Sequence, residues 1–362
     1  MLVVGAGVVG LSVAWLLLRG GHPVALIDPQ PEQADPTHSG STAALGVLMA
    51  QVFHRSSGRG WRLRQRSHTL WQQWLAELAL AGHAIPRRQG LLLLAATPDE
   101  QERQQRLVDE RQRQGITLEL WDRQRLRGLT PAVPAGALSA LHSSHDGQLD
   151  PGSLLQALWS DCRRLGLQAH RDAAARIERH GSGWLVHGRG GGRATAPWLV
   201  ISAGIASSAL LAPLGHRIPM EPVLGQALEL ELAQPPGWNW PGATVWKGVN
   251  LVPRPDLQGG RRCWLGATLE PGKRACAQAL AALRRWGNAA DTGTSCAALA
   301  WLDDARVVRQ WQGLRCRPVG RPAPVLEQPE PGLLVVSGHY RNGVLLAPAS
   351  AEWAWAQITA GR

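Results

Sequence analysis

The first 28 residues constrain the fold more than any other part of this sequence. Gly5, Gly7 and Gly10 form the pattern G-x-G-x-x-G directly after a short apolar run. Apolar residues at helical spacing follow the glycines, and a second apolar run then ends at Asp28. This order predicts a strand, a glycine turn, a helix and a parallel strand that ends in an acid.

Each of these residues has a physical role in a dinucleotide site. Gly5 permits a tight turn, Gly7 lets the backbone approach a pyrophosphate, and Gly10 lets the helix pack closely on the strand. The free N–H groups at the start of the helix then face the phosphates. Asp28 stands where a carboxylate meets a ribose hydroxyl, which favours FAD or NAD over NADP. The alternative is a glycine-rich turn inside a core.

Little in the sequence supports a signal peptide, a membrane anchor or a metal site. No cation precedes the N-terminal apolar run and Arg19 interrupts it, so we expect neither a signal peptide nor a membrane anchor. The histidines form no H-x-x-x-H pattern and the cysteines form no C-x-x-C pattern, so we predict no metal site. The odd number of cysteines predicts free thiols and a cytoplasmic location; they are Cys162, Cys263, Cys276, Cys296 and Cys316.

The net charge of +11 raises the question of nucleic-acid binding. Arginine accounts for nearly all of the basic residues, since Lys247 and Lys273 are the two lysines. The arginines are scattered along the chain apart from a cluster at 59–66, which a solvated helix face explains. We therefore predict no nucleic-acid surface.

The middle of the chain shows several helix start signals. Ser41 and Thr42 open a run of small residues, which predicts a capped helix start and a second place for a phosphate. The apolar spacing over 60–81 predicts an amphipathic helix. Thr97, followed by proline and glutamate, predicts a capping box for a charged surface helix, and Asp150 predicts the cap of another. Further helices are predicted over 273–286 and 296–304.

Two later stretches predict further parts of a cofactor site. Residues 198–204 form an apolar run that ends in Ala-Gly, which a parallel sheet needs where backbone approaches a cofactor. Residues 332–358 predict a buried strand, a loop and an apolar helix whose positive end would face a reduced ring. Arg341 in that loop, together with Arg315, predicts a carboxylate substrate, unless both form surface ion pairs. Between these stretches, the alternation over 220–270 predicts an antiparallel sheet.

These residues match a known family. The chain resembles the D-amino-acid oxidase family of FAD-dependent oxidoreductases, and within it the glycine-oxidising members. The resemblance extends over nearly the whole chain in five blocks that occur in the family's order. They are GAGVVG with Asp28, STAALGVL (41–48), GQLDPGSLLQAL (147–158), VISAGIASSALL (200–211) and GHYRNGVLLAPAS (338–350).

The resemblance implies an α/β fold, α+β overall, in which a Rossmann-like FAD-binding lobe is interleaved with an antiparallel-sheet substrate lobe. The expected limits are 1–85, 146–219 and 313–362 for the FAD-binding lobe, and 86–145 and 220–312 for the substrate lobe. It also implies non-covalent FAD. Some relatives attach flavin through a cysteine, but Cys316 stands in the wrong register for that bond.

The resemblance assigns site residues as well. Arg315, Arg341 and Tyr340 would hold the substrate, with Arg317 as a competitor for the role of Arg315, and no side chain is assigned as catalytic. The residues that would contact FAD come from both ends of the chain and from short segments between them. They are Gly5, Gly7, Val8, Val9, Gly10, Asp28, Ser41, Thr42, Gly46, Val47, Leu48, Ala174, Gly204, His339, Tyr340, Arg341, Asn342, Gly343, Val344 and Leu345.

The activity implied is oxidation of a small amino acid, with glycine as the first candidate, to its imine, while O2 is reduced to hydrogen peroxide, in thiamine biosynthesis. Asn250 and Leu269 replace a tyrosine and a methionine of the glycine-oxidising members, so the substrate's identity is left open. One alternative is a dehydrogenase of D-amino acids or secondary amines that uses another electron acceptor. The other is a flavoprotein that acts on modified tRNA. A homo-oligomer is also left open.

Overall fold

The computed structural model describes residues 1–32, 39–285 and 299–360, so Cys296 and the first residues of the helix predicted over 296–304 lie outside the described residues. In the described part, the helices are α1 (Val8–Arg19), α2 (Gly58–Leu80), α3 (Pro98–Arg113), α4 (Arg123–Arg127), α5 (Pro151–Arg164), α6 (Ser207–Leu211), α7 (Ala277–Arg284), α8 (Ala300–Asp303) and α9 (Gly343–Ala360). The strands are β1 (Leu2–Val4), β2 (Ala25–Asp28), β3 (Val47–Leu48), β4 (Arg87–Ala95), β5 (Glu119–Trp121), β6 (Ser139–Leu149), β7 (Gln168–Arg171), β8 (Ala174–His180), β9 (Gly183–Gly188), β10 (Arg193–Ala196), β11 (Leu199–Ile201), β12 (Met220–Glu231), β13 (Ala243–Trp246), β14 (Val249–Arg254), β15 (Arg262–Gly266), β16 (Glu270–Pro271), β17 (Arg306–Pro318), β18 (Val325–Glu330) and β19 (Leu333–Ser337).

One sheet has the strand order β18-β19-β11-β1-β2-β7. Strands β19, β11, β1, β2 and β7 run parallel to one another, and β18 is antiparallel to β19. Leu2 pairs with Leu199 on one side and with Ala25 on the other, so β1 lies in the middle of the sheet. Because these strands are parallel, their C-terminal ends lie at one edge, which is where ligands bind in open sheets of this kind.

Both faces of this sheet are covered. Helices α1, α5 and α9 pack on one face against residues such as Val3, Leu26 and Val200. The antiparallel sheet β10-β9-β8 packs on the other face through Ile177 and Trp184. Burial on both sides explains why the strands read as continuous apolar runs without alternation. The predicted βαβ unit and the Rossmann-like fold class are confirmed.

The larger sheet has the order β16-β12-β15-β14-β13-β4-β6-β3, and β17 and β5 pair with β12 and β6. Its pairs are antiparallel except that of β13 with β4. The antiparallel sheet predicted over 220–270 is confirmed. The lobe limits given above stay a prediction, and β6 and β17 each extend across one of them.

Helix start signals located two helices correctly. Thr97 Oγ1 accepts the N–H of Glu100 at 3.2 Å at the start of α3. Asp150 Oδ1 accepts the N–H of Ser153 at 2.7 Å at the start of α5. Each side chain satisfies one of the N–H groups that a first turn leaves without an intrahelical acceptor.

The prediction of a helix start at residues 41–48 is wrong. Residues 41–48 form turns and the short strand β3 in place of a helix, because Gly46 has a φ of 73° and β3 pairs with β6. Helix α3 lies on the surface over most of its length, as predicted, and buries Gln104 and Arg111. Because charged residues occur along the whole length of this helix, its sequence does not indicate which charged side chain has a buried partner.

Over the described ranges, the helices include none with the length and apolar character that crossing a bilayer requires. In the same ranges, no group of three or more His, Cys, Asp and Glu side chains is arranged to hold a metal ion.

Candidate active site

The opening glycines form a tight turn between β1 and α1. Gly5 has a φ of 104°, a conformation that favours glycine. A Cβ on Gly10 would lie 1.9 Å from the carbonyl oxygen of Gly5, so a side chain there would force α1 away from the strand. Gly7 caps the helix, and the Val8 N–H donates to Ser41 Oγ at 3.0 Å. The N–H groups of the rest of this first turn, including that of Val9, are those that bind anions at helix N-termini.

Asp28 ends β2 beside this turn. Its Oδ2 accepts the N–H of Ala6 at 2.8 Å and its Oδ1 accepts the N–H of Gln30 at 2.8 Å. Burial raises the pKa of Asp28 above its ordinary value, although both hydrogen bonds oppose that change. A carboxylate offers about four acceptor positions, so two hydrogen bonds leave positions for ribose hydroxyls.

The C-terminal segment reaches the same turn. Ser337 ends β19 and its Oγ donates to the carbonyl oxygen of Gly204 at 3.4 Å. Gly343 begins α9, and a Cβ on Gly343 would lie 4.0 Å from Cγ1 of Val8. Val344 and Val8 belong to one hydrophobic cluster. The first turns of α1 and α9 are therefore in contact, and the two ends of the chain meet at the C-terminal edge of the sheet.

The loop between β19 and α9 is fixed by its own contacts. Nε2 of buried His339 lies 2.8 Å from Ser350 Oγ, and burial lowers the pKa of His339 to about 3, so the ring is neutral at pH 7. Tyr340 has a φ of 55°, and its N–H donates to the carbonyl oxygen of Cys316 at 3.0 Å. The Asn342 N–H donates to the carbonyl oxygen of His339 at 3.1 Å.

Strand β3 brings a third segment to this place. Val47 pairs with Gln148 of β6, and a Cβ on Gly46 would lie 1.9 Å from the carbonyl oxygen of Leu149. Leu48 and Leu345 line the same small cavity. The segment that follows the small-residue run thus packs directly against the start of α9.

Strand β17 packs against the turn that contains Ser41 and Thr42. A Cβ on Gly313 would lie 2.4 Å from Cβ of Ala43, and a Cβ on Gly40 would lie 2.7 Å from the carbonyl oxygen of Leu314. The Tyr340 N–H donates to the carbonyl oxygen of Cys316, the residue after Arg315 on β17. This hydrogen bond and the close packing bring Arg315 beside the loop before α9.

Arg315 is half-buried, and one end of its guanidinium is fixed by the protein. Nη1 donates to the carbonyl oxygens of Leu224 at 3.2 Å and Thr268 at 3.0 Å. The guanidinium covers Gly225, where a Cβ would lie 2.3 Å from Nη2 and 2.4 Å from Nη1. Burial lowers the pKa of Arg315, and the nearby charge of Arg341 lowers it further.

Arg317, the predicted competitor, has a different environment. It forms an ion pair with Glu221, and its Cζ lies 5.9 Å from the ring of Tyr340. Arg315 and the exposed Arg341 form no ion pair with a carboxylate from the described ranges. These two cations therefore keep donors for a ligand, whereas the charge of Arg317 is neutralised.

Two predicted contacts lie farther along the same edge. Asp28 pairs with Arg171, the last residue of β7, and Ala174 opens β8 shortly after it. Gly204, with a φ of 55°, follows β11. The structure brings all the segments assigned to FAD to one edge of the sheet, and the contact of each residue with FAD stays a prediction.

Two buried charged side chains that no sequence pattern indicates hold residues 50–56 beside β3. The carboxylate of Asp146 accepts the N–H groups of Ala50, Gln51 and Val52 at 2.7 to 3.1 Å. Arg111 donates to the carbonyl oxygens of residues 51, 53 and 55 and to a serine hydroxyl at position 56. Ala50 packs on α9, so this loop supports the wall of the site.

The residues present fit FAD. A Cβ on Gly5 or Gly10 would clash with backbone atoms, so these glycines keep the turn tight, while the start of α1 offers N–H groups to a diphosphate and Asp28 offers acceptors to a ribose. The start of α9 supplies a second positive helix end, which suits an electron-rich ring. The three requirements occur together at one edge of a parallel sheet.

The chain is similar to known proteins over most of its length. The family model described as DAO, FAD dependent oxidoreductase, matches residues 1–356. The chain is 25% identical to glycine oxidase of Bacillus licheniformis over 97% of this chain and 90% of that one. It is 26% identical to a D-amino acid dehydrogenase of Methylobacterium nodulans over 64% of this chain and 66% of that one.

Solved structures share the fold. The crystal structure of glycine oxidase from Geobacillus kaustophilus superposes with a TM-score of 0.85 at 24% identity, covering 99% of this chain and 94% of the other. The predictions of the family, of the fold class and of FAD as the cofactor are confirmed. Because the family model spans nearly the whole sequence, the chain belongs to the DAO family of FAD-dependent oxidoreductases.

Proposed function

We propose that this protein oxidises a small amino acid, glycine first, to its imine and passes the electrons to O2, which gives hydrogen peroxide. The observation that carries the proposal is the pair of guanidiniums of Arg315, beside the loop before α9, and Arg341, within that loop, neither of which has a carboxylate partner in the described residues. A planar guanidinium binds a carboxylate through two parallel hydrogen bonds.

Arg315 and Arg341 have different roles in substrate binding in this proposal. Arg315, fixed through Nη1 and covering Gly225, presents its remaining N–H groups in one orientation and sets the direction of the substrate's carboxylate. Arg341 is exposed and adds charge at the mouth of the site. Hydrogen bonds to charged groups contribute about 1.5 to 3 kcal/mol each, enough to hold a ligand as small as glycine.

Bound FAD supplies an acceptor for the two electrons that leave the substrate. The residues of the chain orient the substrate's α-carbon and exclude other orientations of the substrate. Positioning of this kind accounts for much of the rate increase in such reactions. We assign no side chain as general base. The neutral ring of His339, held by Ser350, supports the loop without adding a charge.

FAD is bound without a covalent bond in this proposal. Cys316 is buried, and burial raises the pKa of its thiol to about 11, so the thiolate that would attack flavin is scarce at neutral pH. Its Sγ lies 2.8 Å from Sδ of Met220. Delivery of the imine to thiamine biosynthesis and a cytoplasmic location belong to the same proposal, on the family resemblance.

A dehydrogenase of D-amino acids is the second candidate, favoured by the similarity to the dehydrogenase of Methylobacterium nodulans. The decisive experiment uses the purified protein. A flavin absorbance spectrum is recorded, and glycine, sarcosine and D-alanine are each added without oxygen. Bleaching by glycine followed by peroxide release in air supports the oxidase. Bleaching by D-alanine with no peroxide, and turnover with a quinone, supports the dehydrogenase, and no bleaching by any of them rejects both.

A further inference from the structure

A cluster of buried polar side chains stands directly behind Arg315. Glu270, Gln226 and Thr268 are 7%, 2% and 8% exposed. The carboxylate of Glu270 accepts hydrogen bonds from Gln226 Nε2 at 3.0 Å, from the Thr268 hydroxyl and from the Cys276 N–H. Burying a carboxylate is costly, and these three donors offset that cost and hold the carboxylate in place.

This cluster fixes the carbonyl oxygen that Arg315 binds. The Thr268 N–H donates to the carbonyl oxygen of Gln226 at 3.0 Å, and the Gln226 N–H donates to Thr268 Oγ1 at 2.7 Å. Thr268 is therefore held through its backbone and its side chain at once. Its carbonyl oxygen, 3.0 Å from Arg315 Nη1, can shift little.

Further hydrogen bonds leave Gln226 no freedom to turn. Its Oε1 accepts from Gln310 Nε2 at 3.1 Å, and its Nε2 also donates to the carbonyl oxygen of Cys276 at 3.1 Å. Both ends of the amide are occupied. The network therefore extends from β17 through β12 to the segment after β16, and every link is buried or half-buried.

Glu270 also supplies negative charge without occupying the donors of Arg315. Its charge favours the charged form of Arg315 and opposes the effect of burial, yet the two side chains form no direct ion pair. Arg317, two residues farther along the same strand, is paired directly with Glu221. An indirect counter-charge leaves a guanidinium available to a ligand, whereas a direct ion pair does not.

We propose that Glu270, acting through Thr268 and Gln226, is a positioning residue that holds Arg315 in the orientation that receives the substrate's carboxylate. This proposal rests on the proposed role of Arg315 in substrate binding. Glu270 itself does not touch the substrate. Its removal lets the guanidinium tilt, so ligands that carry a carboxylate lose affinity and neutral ligands of the same shape do not.

The test uses the purified holoprotein with its flavin bound. Glycolate, which carries the carboxylate but no amine, and its neutral analogue glycolamide are titrated while the visible absorbance of the flavin is followed. The variants are Glu270→Gln, Thr268→Val and Thr268→Ser. Glu221→Gln is the matched control, because it removes a carboxylate from the neighbouring ion pair with Arg317.

We expect Glu270→Gln and Thr268→Val to raise the Kd of glycolate at least about tenfold. The Kd of glycolamide, the flavin spectrum and the Tm should stay close to those of the wild type. Thr268→Ser keeps the hydroxyl and should restore glycolate binding, and Glu221→Gln should leave it unchanged. If Glu270→Gln does not fold, the comparison of Thr268→Val with Thr268→Ser decides.

Three results would overturn the proposal. The first is wild-type affinity for glycolate in folded Glu270→Gln or Thr268→Val. The second is an equal loss for glycolate and glycolamide, which would show a general loosening of the pocket. The third is that Glu270→Gln and Thr268→Val both fail to fold, which would assign the cluster to stability. Failure of the proposed function appears separately, as absence of anaerobic bleaching by any amine while the wild type still binds glycolate.

Discussion

Arg315 and Arg317 lie two residues apart on β17, where Arg315 is half-buried and Arg317 is exposed, and the two side chains have different partners. Arg317 is paired with Glu221, whereas Arg315 donates to two carbonyl oxygens and has no carboxylate partner in the described part of the chain. Side chains two apart on a strand lie on the same face, so the two cations share one surface. The presence or absence of an ion-pair partner, and not the position on the strand, distinguishes a cation that can bind a ligand from a structural one.

The comparison of Arg315→Met with Arg317→Met tests this difference. Removing the partner of a charged ligand group costs about 2 to 5 kcal/mol, so Arg315→Met should lower kcat/KM for the amino-acid substrate by about a hundredfold or more. Arg317→Met should stay within about threefold, since an exposed ion pair contributes about 0 to 1 kcal/mol. Steady-state kinetics with both variants carrying flavin checks this, and equal losses would contradict it.

Arg341→Ala should raise KM for glycine strongly and leave the flavin bound. Arg341 is exposed and its loop is fixed by backbone contacts of Tyr340 and Asn342, so losing the side chain leaves the loop in place. The flavin spectrum and the KM are the two measurements. An unchanged KM would remove Arg341 from the substrate site.

Gly10→Ala should destabilise the protein and release FAD, because the new Cβ would lie 1.9 Å from the carbonyl oxygen of Gly5. Overpacking of this kind typically costs about 1 to 3 kcal/mol. Gly60→Ala is the control, since its nearest neighbour would be Arg64 Nη1 at 3.8 Å, and alanine stabilises a helix by up to about 1 kcal/mol over glycine. Tm and FAD release on dilution distinguish the two, and a Gly10→Ala protein as stable as Gly60→Ala would contradict the packing.

Arg111→Met should lower the free energy of unfolding by about 3 kcal/mol, because it leaves the buried carbonyl oxygen of Gln51 and the half-buried hydrogen bonds to residues 53 and 55 without their donor. Arg113→Met, on the exposed side of the same helix, should change it by less than about 0.5 kcal/mol. Urea unfolding measures both. Limited proteolysis should cut residues 50–56 faster in Arg111→Met, and an unchanged rate would mean that the loop is held by other contacts.

His339 should make the protein less stable in mild acid. Its pKa is about 6.5 when unfolded and about 3 when folded, so on lowering the pH the unfolded chain binds the proton first. Stability from this group is complete above pH 6.5 and is lost progressively down to about pH 3, with a loss of roughly 1.4 kcal/mol at pH 5.5. The difference in urea unfolding between pH 7.5 and 5.5 should be smaller in His339→Gln by that amount, and an equal difference would show that the ring is not buried neutral.

Local chemistry in the sequence located several elements of the fold correctly. The turn at Gly5 follows from the need for a positive φ, and the starts of α3 and α5 follow from side-chain oxygens placed to cap a first turn. The resemblance added the family and the cofactor. The helix start predicted at Ser41 is wrong because small residues with hydroxyls suit a helix start as well as a turn. The contact of Gly46 with Leu149, which is distant in the chain, decides in favour of the turn.

Residues only a few positions apart decide turns and caps, so the amino-acid pattern was enough to predict the strands and the helix around the glycine turn. Only the folded chain shows that Val8 contacts Gly343, that Arg317 has a carboxylate partner whereas Arg315 has none among the described residues, and that Glu270 lies behind Arg315. Contacts of this second kind join residues that are distant in the chain, and no spacing or periodicity records them. They arise when parallel strands bring their C-terminal ends to one edge of the sheet and strands of a second sheet pack beside that edge.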